Sequence, residues 1–74
     1  MDTGLLWYCE DKRATLEQHV IEAAAYFQAK YHRIANTAHC HPSLAGDVRR
    51  VGLVRVVPDR AVVKGHVWLG VETP

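Results

Sequence analysis

The sequence predicts an α+β domain of order β-α-β-β-β, with one amphipathic helix packed on a mixed four-stranded sheet. Three observations carry this: an apolar stripe at helical spacing behind a capping box at Thr15, a short apolar and aromatic run ahead of it, and two β-branched runs in the last third of the chain.

Leu5-Leu6-Trp7-Tyr8-Cys9 gives way to Glu10-Asp11-Lys12-Arg13, as a strand does when it leaves a core for a charged loop. Thr15-Leu16-Glu17-Gln18 has the spacing in which a threonine hydroxyl accepts from a free helical amide and Gln18 reaches back to the cap. Leu16, Val20, Ala23, Ala24, Phe27 and Tyr31 then recur at helical spacing and form one stripe directed at the sheet. Ala23-Ala24-Ala25 favours helix and has little bulk, so the helix can approach the sheet closely at its middle. The apolar period fails after Tyr31, which ends the helix near His32-Arg33, where a histidine suits the negative end of the helix dipole.

Thr37 to His41 reads as the second strand, stopped by Pro42, which has no amide hydrogen for a ladder. Ser43 to Asp47 reads as a loop. Val51 to Val57 and Ala61 to Val71 are then strands, and Pro58-Asp59-Arg60 between them predicts a β-hairpin.

A chain of 74 residues is one domain, residues 1–74, near the size at which a single core is marginal without a disulfide, a metal or a partner subunit. At 49% hydrophobic and 23% charged, the composition is that of a folded globular chain and excludes a disordered or low-complexity one. The net charge is +1, from −1 over residues 1–42 and +2 over residues 43–74, an asymmetry too small to predict a nucleic-acid partner. No apolar run approaches the ~18 residues of a membrane span, and the first residues carry neither a basic stretch nor a signal-like apolar run. The expectation is a cytoplasmic protein without membrane association, in which Cys9 and Cys40 are small buried thiols and not a bridge.

The last strand points to assembly. Val63, Val67, Leu69 and Val71 share one face, while Val62 and Trp68 lie on the other with Lys64, His66 and Gly70. One helix covers only one face of a sheet, so the reading leaves Trp68, Val54 and Val56 uncovered, flanked by Trp7 or Tyr8. The function expected is therefore a small protein-interaction or self-assembly module, a homodimer or larger homo-oligomer, with a heterologous protein as the other partner.

His39-Cys40-His41-Pro42 is the segment with most chemistry. Alternation along a strand puts His39 and His41 on one face and Cys40 on the other. With His66 on a neighbouring strand, the two histidines supply three of the roughly four ligands of a zinc-like site, the second functional reading. There is no CxxC pair and no HExxH helix. Arg49, Arg50, Arg55, Arg60 and Lys64, with Trp68 as a stacking surface, make nucleic-acid binding the third reading. An enzyme is not expected. No glycine-rich phosphate loop or serine-histidine-acid set is recognisable, and Cys40 points away from its neighbouring histidines.

Two stretches carry a resemblance. Tyr26-Phe27-Gln28-Ala29-Lys30-Tyr31 with Asn36 and His41-Pro42, and Val51-Gly52-Leu53-Val54-Arg55-Val56 with His66-Val67-Trp68-Leu69-Gly70-Val71-Glu72, resemble a family of short, uncharacterised bacterial proteins. Those proteins have glycine where His32 stands, proline near Ala35 and Pro-Asn where Lys64-Gly65 stand. The resemblance implies no known activity. It directs attention to His41, His66 and Trp68, which fall inside the matching stretches.

Overall fold

The structure is a computed structural model that describes residues 3–73. Its elements in order are β1 (Thr3–Tyr8), α1 (Leu16–Tyr31), β2 (Thr37–Cys40), α2 (Pro42–Ala45), β3 (Arg50–Val51), β4 (Val54–Pro58) and β5 (His66–Val71). This is an α+β fold with one main helix, and its sheet has five strands in the order β1-β5-β2-β4-β3 instead of the expected four.

The helix forms as its sequence dictates. Thr15 Oγ1 accepts from the Gln18 amide at 3.2 Å, and Gln18 Oε1 accepts from the Thr15 amide at 2.8 Å, so the capping box is closed in both directions. Leu16, Val20, Ala23 and Phe27 are buried against the sheet, and His19 joins them. The helix ends at His32, whose φ of 56° lies in the left-handed region and whose amide donates to Gln28 O at 2.9 Å. A left-handed cap is a position that glycine enters without a Cβ penalty, so a histidine there carries some strain.

The expected hairpin between the two valine-rich runs is not formed. β4 and β5 are separated by β2, which pairs parallel with β4 and antiparallel with β5. The reason lies in residues 59–65. Asp59 Oδ1 accepts from the Ala61 amide at 2.9 Å, Asp59 O from the Val62 amide and Val63 O from the His66 amide at 3.2 Å. The chain therefore curls through turns, ending at Gly65 with φ 78°, and its β-branched residues 61–63 never extend as a strand. The true hairpin is β3–β4, joined by Gly52-Leu53, with glycine at the first turn position at φ 57° as a two-residue connection of the primed kind favours. Of Ser43 to Asp47, expected as loop, residues 43–45 belong instead to the short helix α2, which Pro42 begins.

β1 and β2 run parallel but are not neighbours, because β5 lies between them and pairs antiparallel with both. The register sorts the two faces. Leu5, Trp7, Val67, Leu69, Ala38, Val54 and Val56 point to the helix, and all but Leu5 and Trp7 are buried. Val54 and Val56 thus lie under the helix at 5% and 2% exposure, not on the uncovered face where the sequence had placed them. The half-strand alternation was right, but its phase was assigned to the wrong side.

Asn36 extends the β2–β5 ladder with its side chain. Its Nδ2 donates to Glu72 O at 3.0 Å and its Oδ1 accepts from the Glu72 amide at 2.8 Å. Its own amide and carbonyl bond Gly70 O and the Arg55 amide, so one residue ties β2, β4 and the end of β5. Asn36→Ala removes both of these side-chain bonds and the one that Asn36 Oδ1 accepts from the Thr37 hydroxyl, and is expected to destabilise by about 1–3 kcal/mol, measured by urea unfolding.

Candidate functional site

The uncovered face is built from the even residues of β1 and β5 and the odd residues of β2 and β4. Leu6 pairs with Trp68 and Tyr8 with His66, while Trp68 also pairs with His39. Leu6, Tyr8 and Trp68 are exposed at 52%, 56% and 36%, large values for apolar groups that stand side by side. The Tyr8 and His66 rings approach to 5.1 Å between centroids. The Trp68 indole packs directly against Gly4, where a Cβ would come to 2.7 Å from its Cε2 and Cη2. Glycine at position 4 is what lets an aromatic plate rest on the sheet. Trp7, by contrast, points to the helix side, half-buried and 5.5 Å from the Tyr26 ring.

Across β2 the same face becomes polar. His39 has Asp59 Oδ2 at 3.2 Å from Nδ1 and Glu72 Oε2 at 3.4 Å from Nε2, and Arg55 Nη2 donates to Glu72 Oε1 at 3.1 Å. A line Asp59, His39, Glu72, Arg55 crosses the sheet. An imidazole with protons on both nitrogens satisfies both carboxylates, whereas a neutral ring has a single N–H to donate.

The three histidines of the zinc-like reading are held in three different ways. His39 faces the two carboxylates. His41 leaves the strand and caps α2, its Nδ1 accepting from the Ser43 amide at 3.1 Å with Ser43 Oγ at 2.8 Å. His66 Nδ1 donates to Lys64 O at 3.1 Å. Among the described residues no group of three or more histidine, cysteine, aspartate or glutamate side chains converges as a metal site.

The basic residues of the nucleic-acid reading are divided between the two ends of β4. Arg50 and Arg55 stand at one end, while Arg60 and Lys64 belong to the turns beyond the other. Arg49 donates to Gly46 O at 2.7 Å and Val48 O at 2.9 Å, and so serves its own loop. Among the described residues no helix is long and apolar enough to cross a membrane.

Cys9 and Cys40 are free and buried on the core side. Burial first, and then the neighbouring Cys40, push the Cys9 thiol up to about 11, and burial likewise raises Cys40. A raised thiol is the opposite of an activated nucleophile.

Comparison with protein-family models, with curated proteins and with solved structures found no match.

Of the residues on this face, Leu6, Asp59 and Glu72 escaped the sequence reading. Leu6 had a signal, since it alternates with Leu5 and Trp7 in one strand. Asp59 and Glu72 had none, because they reach His39 over separations of 20 and 33 residues.

Two outcomes are expected. Gly4→Ala costs about 1–3 kcal/mol by forcing the indole off the sheet, and a double-mutant cycle shows most of that cost absent in a Trp68→Ala background. Cys9 contributes stability in its protonated form, complete below the ordinary value of 9.0 and lost as the pH climbs through about 11. At pH 8 its labelling by a thiol reagent in the native protein is correspondingly slower than in urea, by roughly 100-fold.

Proposed function

We propose that this chain is a protein-interaction module that self-associates through the uncovered face of its sheet. The observation that carries the reading is the contiguous exposure of Leu6, Tyr8 and Trp68 on one side of β1 and β5. Aromatic side chains of this kind dominate interface energetics because they bury large area with few rotatable bonds.

The neighbouring edge supports it. Among the described residues β1 pairs with β5 alone, so its other side offers free amides and carbonyls. Gly4-Leu5-Leu6-Trp7-Tyr8 contains no charge, proline or lysine, the devices by which natural edge strands discourage pairing. A partner on the face and a partner strand on the edge would meet the same surface. Trp68, Leu6 and Tyr8 form its centre, with Trp7 at its margin on the helix side.

The test compares two lysine substitutions at exposed positions. Leu6→Lys lies on the face, and Ile21→Lys lies on the outer side of the helix, where Ile21 is 60% exposed. Sedimentation velocity is expected to give a dimer or larger species for the natural chain and for Ile21→Lys, with at least tenfold weaker association for Leu6→Lys. A natural chain that stays monomeric at high micromolar concentration, or equal behaviour of the two variants, overturns the reading.

A further inference from the structure

At the other end of the same face, β3 and β4 place Arg50 directly opposite Arg55. Like charges opposed across an antiparallel pair repel and cost stability, and side chains so paired are only about 5 Å apart at Cβ. Their surroundings relieve only part of this. Arg55 has one carboxylate partner, Glu72 Oε1, through a single nitrogen. Outside the backbone ladder with β4, the Arg50 side chain has no ion pair or hydrogen bond among the described residues.

The two arginines line an open cleft of about 300 Å³, the lower end of the range for small-molecule sites. Its remaining walls are Asn36, Thr37, Leu53 and Thr73, with Glu72. The Asn36 side chain is committed to Glu72, and the Thr37 hydroxyl donates to Asn36 Oδ1 at 2.8 Å, so these two shape the cleft without contributing free donors. Glu72 is the one carboxylate in the wall, and both its oxygens are engaged, Oε1 by Arg55 and Oε2 by His39. Among the described residues, the lining side chains with unused donors are the Arg50 guanidinium, the rest of Arg55 and the Thr73 hydroxyl. Leu53, 74% exposed at the turn between the strands, adds an apolar rim beside them.

We infer that the cleft between Arg50 and Arg55 binds a small organic oxyanion, a phosphate monoester or a carboxylate, with its charged end between the guanidinium groups and its organic part over Leu53. A planar guanidinium matches either oxyanion through paired N–H donors, and an anion between two of them turns the repulsion into attraction. The site is independent of the self-association proposed above and does not involve Leu6, Tyr8 or Trp68.

Thermal unfolding followed by circular dichroism tests this with sodium phosphate, sodium acetate and sodium chloride as probes at one pH and one ionic strength. Phosphate or acetate is expected to raise the midpoint of the natural chain above its value in chloride, by several degrees at about ten times the dissociation constant. The rise is expected to vanish in Arg50→Gln, while in chloride that variant unfolds no earlier than the natural chain, because a repulsion has been removed. A rise with phosphate alone assigns the site to phosphate monoesters, and an equal rise with acetate assigns it to carboxylates as well. Leu53→Glu, which sets a carboxylate on the rim without touching the core, is expected to abolish the rise too. An equal rise in the natural chain and in both variants is general stabilisation by an excluded salt and overturns the inference, as does no rise above chloride.

Discussion

The four residues of β2 have hydrogen-bonded neighbours on both edges, a parallel one in β4 and an antiparallel one in β5, and among the described residues β2 is the strand that joins the two halves of the sheet. So short a strand can hold this position because its core side carries small groups. Ala38 and Cys40 are fully buried where Phe27, Val20 and Leu69 fill the remaining volume. A larger residue at Ala38 would push the helix away from the row it shares with Val56 and Leu69, and close-packed interiors absorb such additions poorly. Asn36 completes the arrangement by continuing the ladder one step beyond the strand with side-chain atoms in place of backbone ones.

On the opposite side of the same strand the physics changes from packing to charge. His39 stands where β2 would otherwise show an apolar group, and it draws in Asp59 from the end of β4 and Glu72 from the end of β5. The face is thus divided by β2 into an aromatic half over β1 and β5 and a charged half over β4 and β3. Exposed ion pairs of this kind contribute little to stability, roughly 0–1 kcal/mol each, so their main effect is to fix where charges sit. That division sets the exposed aromatic side chains apart from the arginine-lined cleft on a sheet of only five strands.

Local signals in the sequence were reliable wherever a local interaction decides the outcome. The capping box at Thr15, the helical stripe, the end of the helix at His32 and the stop at Pro42 all depend on residues within a turn or two of one another. The fold class followed from these. The strand order did not, because it depends on the Asp59 side chain capturing the Ala61 amide, which converts a β-branched run into turns and carries the chain past β2. The same limit applies to the face. Trp68 and Tyr8 could be placed by alternation, but Val54 and Val56 could be phased only once their partners Val51 and Ala38 were known. His39 and His41 separated because Pro42 starts a helix that needs a cap, and the nearest acceptor is the His41 ring.

The position of β5 also bears on the order in which the molecule can form. The last strand in the chain occupies the gap between β1 and β2, which the helix connects first. A growing chain that has emerged only as far as β4 therefore holds β1 apart from the rest of the sheet, with its aromatic residues unpaired on both edges. Closing the sheet requires contacts between residues more than sixty apart, such as Thr3 with Val71, and such distant closures slow folding. Until then the uncharged Gly4–Tyr8 segment has both edges unpaired, the kind of strand that invites association, and pairing with β5 closes one of them.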